Sequence, residues 1–190
     1  MKYIFRSQRL GFRNWKSSDS IEFAKINADT EVMEHFPKPL NNDESFELLK
    51  KLQIHYKNYG YTYFATEILE TGELIGFIGL AFQNYKTKFT PATDIGWRLK
   101  KEAWSKGYAT EGALKCLDFG FNTLKLKRII STCTVENIKS ENVMNKIGMI
   151  KRGYFKHPEL SNSPDISQCV LYEIKKPLKP DLKINKFINE

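Results

Sequence analysis

The sequence predicts an α+β fold, a mixed sheet with helices on both of its faces, and three observations lead to this prediction. From Tyr61 onward the apolar residues alternate with polar ones or form short apolar runs, as they do in β-strands. Elsewhere they recur at helical spacing, most clearly at Phe46, Leu49, Leu52 and Tyr56. The resulting order of elements is β-α-α-β-β-β-α-β-α-β-β, which fits a mixed α/β sheet between helices.

The first half of the chain contains one predicted strand and two predicted helices. The strand covers residues 4–15. The first helix is predicted to begin at Asp19, because Glu22 follows three residues later as in a capping box. Regular structure ends at Pro37, and the second helix covers residues 43–58.

The second half is predicted to be mostly strands, with two helices between them. Gly148 follows the second of these helices, where a glycine typically adopts the left-handed conformation that ends a helix. The predicted strands are 61–68, 74–82, 92–99, 128–134, 149–155 and 168–174, and the helices are 110–121 and 140–147.

Length and charge limit the class of protein. The 190 residues suit one domain, which we place at residues 1–175, followed by a basic tail at 176–190. The formal charge of +8 allows a nucleic acid, an acidic substrate or a polyanionic cofactor as a partner. Because the lysines are scattered along the chain, we interpret them as a solvated surface and expect no nucleic-acid partner.

The sequence also argues against export, membrane insertion and metal binding. It has neither the apolar run of about 18 residues that a membrane span needs nor a signal-peptide pattern at its beginning, so we expect a cytoplasmic protein. The three cysteines, Cys116, Cys133 and Cys169, are far apart and form no CxxC pair. That spacing suits small buried side chains better than disulfides or a zinc site.

The most informative stretch runs from Asp94 to Phe121, DIGWRLKKEAWSKGYATEGALKCLDFGF. A predicted strand passes through a loop with Gly107 and Ala109 directly into a helix. The first turn of a helix offers unpaired N–H groups and the positive end of a dipole, which suits phosphate, and Lys106 adds a positive charge. The alternative is an ordinary strand-to-helix turn, since the stretch is neither a Walker loop nor a GxGxxG fingerprint.

This stretch resembles the acetyl-CoA-binding motif of the GNAT superfamily of N-acetyltransferases. A second segment, Asn137-x-x-Ser140-x-x-Val143-Met144-x-Lys146-x-Gly148-Met149, resembles the next motif of the branch that contains the ribosomal-protein N-terminal (alanine/serine) acetyltransferases. The opening pattern Arg9-Leu-x-Phe-Arg13 also resembles this branch. Two motifs in the same order make the resemblance specific, and it extends from about Arg9 to Tyr172.

The resemblance implies acetyl-CoA as the co-substrate, no metal, and a sheet whose central strands splay apart. Backbone amides of the loop would hold the coenzyme A pyrophosphate, the strand before it would lie along the pantetheine arm, and the second motif would contact the thioester end. The implied cofactor-binding residues are Trp97, Arg98, Leu99, Ser105, Lys106, Gly107, Tyr108, Ala109, Thr110, Asn137, Ser140 and Lys146.

The chain departs from the family pattern at two positions. Trp104 stands where the superfamily has glutamine or arginine at the start of its phosphate loop. Met144 stands where many members have a tyrosine as general acid. The proton donor is therefore left open between Ser140, Tyr154 and water, and Ser140 is also a candidate helix N-cap.

An amine must be neutral to attack a thioester, so the reaction needs a base. Asp94 is our first candidate, because it lies on the strand that enters the motif, where the superfamily often has a glutamate. Glu67 is a second candidate, as a base or as a substrate-binding carboxylate. Backbone N–H groups of the strand at 95–99 would polarise the thioester carbonyl.

The acceptor side is predicted from weaker signals. His157 begins a His-Pro loop after the penultimate strand, and Phe36 and Trp97 are further candidates for its wall; an exposed histidine and ordinary packing are the alternatives. We expect the acceptor to be a protein N-terminal amine or a small-molecule amine, and the enzyme to be a monomer or a homodimer. The competing interpretations are an acetyl-CoA-binding domain without catalysis and a basic ribosome- or RNA-associated module.

Overall fold

A computed structural model of the protein describes residues 2–176, which form one eight-stranded sheet with four helices. Its helices are α1 (Ser20–Ala28), α2 (Asn42–Tyr59), α3 (Tyr108–Asp118) and α4 (Ile138–Lys146). Its strands are β1 (Phe5–Arg6), β2 (Leu10–Arg13), β3 (Tyr63–Ile68), β4 (Leu74–Gln83), β5 (Ala92–Leu99), β6 (Arg128–Thr134), β7 (Ile150–Lys156) and β8 (Gln168–Lys175).

The strands follow the order β1-β2-β3-β4-β5-β6-β8-β7, and every neighbouring pair is antiparallel except β5 and β6. The predicted mixed sheet is therefore confirmed. The predicted first strand at 4–15 is wrong in one respect, since it is a hairpin of β1 and β2. Ser7 turns the chain there, because its N–H donates to the Leu10 carbonyl and its hydroxyl accepts from the Leu10 N–H.

Two helix starts differ from the prediction. The carboxylate of Asp19 does not cap α1; it binds the guanidinium of Arg13 instead. The start of α4 is capped by Asn137, whose side-chain oxygen accepts from the Ser140 N–H at 3.0 Å, so Ser140 lies inside the first turn. The C-terminal end agrees with the prediction, because Gly148 has φ of +79°.

The sheet opens between β5 and β6. These strands are paired at one position only, Asp94 opposite Ile130. Next to it, the Ser131 hydroxyl donates to the Ile95 carbonyl at 2.9 Å. Beyond this point each strand follows its own antiparallel neighbour, β5 along β4 and β6 along β8. The divergence leaves a wedge, here called the β5–β6 gap, as the resemblance implies.

The two faces of the sheet carry separate apolar cores. On one face Ile95 and Leu99 of β5 pack in the cluster that contains α3 and α4 residues such as Cys116 and Met144. On the other face Phe77 of β4 packs in a smaller cluster under α1 and α2. Because side chains alternate along a strand, Asp94 and Arg98 project from β5 toward this second face.

The predicted basic tail lies outside the described residues beyond position 176. Among the helices of residues 2–176, none is long and apolar enough to cross a membrane.

Candidate active site

A cavity of about 820 Å³ is centred on the β5–β6 gap. Its walls include Ala109 and Val143 from the α3–α4 face of the sheet, and Phe77 and Arg98 from the α1–α2 face. The gap therefore joins the two faces through the sheet. A co-substrate bound on one face can meet an acceptor that enters from the other.

The α3 end of the cavity is formed by the loop predicted to bind phosphate. Gly107 has φ of +79° and is the N-cap of α3, with no side-chain cap hydrogen bond. Ser105 also has a positive φ, +58°, which is uncommon for a residue other than glycine. The first N–H groups of α3 have no partner inside the helix, and the residues that carry them, Tyr108, Ala109 and Thr110, line the cavity.

Arg9 holds this loop in place. Its Nη2 donates to the Lys106 carbonyl at 3.0 Å, and its Nε donates to the Glu111 carboxylate at 2.7 Å. Its guanidinium lies 4.5 Å from the centre of the Tyr108 ring. The side chain of Lys106 is exposed beside the loop.

Trp104, the first departure from the family motif, folds back onto the end of β5. Its indole N–H donates to the Leu99 carbonyl at 2.8 Å, and the Lys139 ammonium lies 4.3 Å from its ring centre. Lys139 and Lys146 both line the cavity. The loop thus lacks a polar side chain at position 104 but has two α4 cations nearby.

The residues of the second motif meet the gap from α4. Asn137 and Ser140 line the cavity, although the side-chain oxygen Oδ1 of Asn137 already caps α4. Met144 also lines the cavity and is only 1% exposed. On the β5 side, the Ile95 carbonyl faces β6, so strand alternation directs the backbone groups of Trp97 and Leu99 to the same side.

Asp94 is buried at the narrow end of the gap, and it is 9% exposed. Both of its carboxylate oxygens accept from the Tyr63 hydroxyl, at 2.7 and 2.8 Å. The Gln83 amide donates to one of them at 3.2 Å. Burial raises the pKa of Asp94 to about 6, against the lowering effect of these hydrogen bonds. A carboxylate with this pKa is mostly ionised at neutral pH and is still basic enough to take a proton.

Tyr85 and His157 form another part of the cavity wall. Their ring centres are 4.5 Å apart, and both residues line the cavity. Burial lowers the pKa of His157, and its Nδ1 accepts from the Glu159 N–H at 3.3 Å. The imidazole is therefore held neutral with its other nitrogen as the N–H donor.

Buried polar atoms without a partner are concentrated around this cavity. Within residues 2–176 there are three such side-chain atoms, the Tyr85 hydroxyl, Arg98 Nε and Thr134 Oγ1. All three residues line the cavity. Since native proteins rarely leave such atoms unsatisfied, this pattern fits a site completed by ligands.

Four predicted residues lie elsewhere or face another way. Lys106 is exposed and does not line the cavity. Glu67 does not line the cavity; Arg13, Lys2 and Tyr3 occupy its carboxylate. Tyr154, a candidate proton donor, is 62% exposed on β7 outside the cavity. The Arg98 side chain projects to the α1–α2 face, away from the phosphate loop, because strand alternation places it opposite Leu99. Trp97, Leu99 and Phe36 line the cavity.

Several residues of the site are not predicted from the sequence. Tyr63, Gln83 and Tyr85 come from strands β3 and β4 and the loop that follows, and no motif singled them out. Arg9 was noted only as part of an opening pattern. The sequence places Tyr63 on a strand of alternating apolar and polar residues. This pattern does not indicate which group its hydroxyl binds. Within residues 2–176, no cluster of histidine, cysteine or carboxylate side chains could hold a metal ion.

Known proteins resemble the chain over most of its length. The family model described as "Acetyltransferase (GNAT) domain" matches residues 9–150. The protein named uncharacterized N-acetyltransferase YnaD, from Bacillus subtilis (strain 168), is 33% identical over 79% of this chain and 84% of its own length.

Two solved structures share the fold. The ribosomal-protein-S5-alanine acetyltransferase from Vibrio fischeri has a TM-score of 0.69 at 22% identity, covering 93% of this chain and 98% of its own. The spermidine N-acetyltransferase from Vibrio cholerae, solved with CoA and spermine, has a TM-score of 0.70 at 22% identity, covering 89% and 96%. The family model and the Bacillus relative decide the family, and the sheet with its open gap agrees with it. The chain therefore belongs to the GNAT family and is an acetyl-CoA-dependent N-acetyltransferase.

Proposed function

We propose that this enzyme acetylates a primary amine that enters from the α1–α2 face of the sheet, with Asp94 as the general base. The observation that carries the proposal is the position of Asp94. It is a buried carboxylate at the one paired position of the β5–β6 gap, in the wall of a cavity that reaches both faces. Its raised pKa, about 6, suits proton transfer at neutral pH.

Acetyl-CoA supplies the activated acetyl group, as a thioester, when it is bound. Amides of residues 105–110 at the start of α3 would hold its pyrophosphate, supported by the α3 dipole. Lys139 and Lys146 add positive charge from α4. The N–H of Trp97, directed into the gap, would donate to the thioester carbonyl.

Asp94 accepts a proton from the incoming ammonium group, directly or through a water. Tyr63 orients the carboxylate, since its hydroxyl bonds both oxygens. For the proton that the departing thiolate takes up, the cavity offers the Ser140 hydroxyl or water. The Tyr85 hydroxyl is a poor acid, because burial raises its pKa.

The acceptor is a protein N-terminal amine or a small-molecule amine. An N-terminal amine has a pKa of about 8 and a lysine-like amine one of about 10.4, so the first is easier for a base with the pKa of Asp94 to deprotonate. By their names, the two solved neighbours act on a ribosomal protein and on spermidine. The fold they share with this chain does not choose between these acceptors.

The test is acetyl-CoA binding, measured by calorimetry, together with turnover on a panel of peptides, amino acids and polyamines. In Gly107→Glu, a carboxylate at the loop should repel the pyrophosphate and weaken binding by about 100-fold or more. Gly107→Ala is the matched control: it carries the same backbone strain at φ of +79°, and its Cβ meets only Arg9 Nη2, at 3.4 Å.

The control should bind acetyl-CoA within about fivefold of the natural chain. A folded natural chain that binds no acetyl-CoA, or that binds it and acetylates no amine in the panel, would contradict the proposed function.

A further inference from the structure

Arg98 is a buried cation that has no carboxylate partner among residues 2–176. Its side chain lines the cavity and is 9% exposed. Within residues 2–176, the one hydrogen bond from its guanidinium to a protein acceptor joins Nη1 to the Asn27 side-chain oxygen, at 2.7 Å. Its Nε is buried and has no partner. Burial lowers the pKa of Arg98 to about 10, so the group stays charged at neutral pH.

Aromatic rings fix the orientation of this guanidinium. Its central carbon lies 4.2 Å from the ring centre of Phe36 and 5.4 Å from that of Phe77. Cation–π contacts of this kind stabilise the charge of the group. Its Nε still has no hydrogen-bond partner. Asn27 accepts a hydrogen bond from Nη1 with a neutral oxygen, which does not balance the charge.

Arg98 and Asp94 lie at opposite ends of one wall. Both project from β5 to the α1–α2 face, four residues apart, which is about 14 Å along an extended strand. Gly96 stands between them and has no side chain to fill the space. The ring of Tyr63 covers it, since a Cβ on Gly96 would lie 3.0 Å from Tyr63 Cε1. We call this wall, made of Phe36, Tyr63, Phe77, Asp94 and Arg98, the acceptor pocket.

We propose that the acetyl acceptor carries a carboxylate separate from its amine, and that Arg98 binds this carboxylate while the amine reaches Asp94. A buried charge is costly unless it is paired, and no carboxylate among residues 2–176 forms an ion pair with Arg98. The planar fork of arginine matches a carboxylate with two parallel hydrogen bonds. This inference rests on the proposed function. It disfavours acceptors with only positive charges, such as polyamines, because Arg98 would repel them.

The carboxylate could come from an amino acid-like molecule or from an acidic side chain near a peptide N-terminus. Matched acceptors separate these sources. One pair is δ-aminovalerate and its primary amide. The other is the C-terminally amidated tripeptides Ser-Glu-Ala and Ser-Gln-Ala. In each pair the amine is nearly unchanged and the carboxylate becomes a neutral amide.

With the natural chain, we expect kcat/KM for the acidic member of at least one pair to exceed that of the amide by about tenfold or more. Arg98→Gln should bring this ratio close to one, by raising KM for the acidic member more than KM for the amide member. Arg98→Lys should recover part of the preference, since it keeps the charge but loses the fork. Arg152→Gln, which removes an arginine that binds Glu173 outside the cavity, is the control and should leave the ratio unchanged.

Calorimetry of both members of each pair with the chain loaded with coenzyme A gives a second readout that needs no turnover. Equal binding and equal kcat/KM within both pairs would overturn the inference. It would also be overturned if Arg98→Gln lowered both members of a pair equally, because Arg98 would then serve only to fasten α1 to the sheet. Failure of the proposed function looks different, since no acetyl-CoA would bind or no amine in the wider panel would react.

Discussion

Two regions of this molecule each contain a buried arginine and buried carboxylate side chains. These groups form ion pairs in one region and not in the other. In the first, here called the ion-pair cluster, Arg13 of β2 binds both Asp19 and Glu67, at 2.7 and 2.6 Å. In the acceptor pocket, Asp94 and Arg98 share one strand face and form no ion pair with each other. The charged residues of both regions are deeply buried, so burial alone does not explain the difference.

The pKa values show what the difference means. Burial would raise the pKa of Glu67, but hydrogen bonds from Tyr3, Lys2 and Arg13 lower it to about 2. Burial raises the pKa of Asp94 to about 6, because its partners are neutral. A paired buried charge stabilises the fold and is chemically inert. An unpaired one costs stability and remains available to a substrate.

Removing Arg13 should have the largest effect on the ion-pair cluster. Arg13→Met leaves two buried carboxylates without their shared cation, and we expect a loss of about 3–5 kcal/mol in the free energy of unfolding. Urea denaturation measures it. Arg152→Met, which removes a half-exposed partner of Glu173, is the control and should cost less than about 1 kcal/mol. Similar losses in both variants would contradict the distinction between the two regions.

Replacing Asp94 should damage catalysis without damaging the fold. In Asp94→Asn we expect kcat/KM to fall by about 10²–10⁴-fold, and the rise of kcat/KM with pH through about 6 to disappear. Glu67→Gln is the matched control, since it changes a buried carboxylate outside the cavity and should keep both the rate and the pH profile. An Asp94→Asn enzyme with a normal profile would exclude Asp94 as the base.

The same two variants should change stability with opposite signs. The folded pKa of Asp94 is raised from 3.8 to about 6, so its charge destabilises the fold above pH 6 by about 3 kcal/mol, and this cost vanishes below pH 4. The folded pKa of Glu67 is lowered from 4.5 to about 2. Its stabilisation, also about 3 kcal/mol, is complete above pH 4.5 and is lost as pH falls toward 2. At pH 7, Asp94→Asn should therefore raise the urea midpoint and Glu67→Gln should lower it.

Removing the Tyr63 hydroxyl should have the smallest effect. Its hydrogen bonds to both Asp94 oxygens lower the pKa of that carboxyl. In Tyr63→Phe, the rise of kcat/KM with pH should therefore move upward by about one pH unit. Tyr61→Phe is the control, because the Tyr61 hydroxyl bonds Thr93 of the same strand at 2.9 Å but does not touch Asp94. An unchanged profile in Tyr63→Phe would mean that Tyr63 does not position the base.

The sequence by itself determined the family and the order of the elements after the hairpin of β1 and β2, which it predicted as one strand. Strand and helix periods are local properties, so β5 was predicted with its observed bounds. Gly107 stands out in the sequence as a small residue between a predicted strand and a predicted helix, and in the structure its φ of +79° is one that glycine adopts readily. The helix caps were predicted less well. Asp19 is a good cap by residue type, but Arg13 of β2 binds its carboxylate.

Only the tertiary structure decided which charged residues are paired and which are left unpaired in the cavity. Glu67 and Asp94 were both candidate bases, since each is a carboxylate on a predicted strand. The sheet order sets β2 beside β3, so that Arg13 neutralises Glu67, and it sets Asp94 where β5 and β6 part. The pKa of a carboxyl depends on the charges and the burial around it, and these come from residues far away in the chain. For the same reason the unpaired state of Arg98 was visible only after the chain had folded around it.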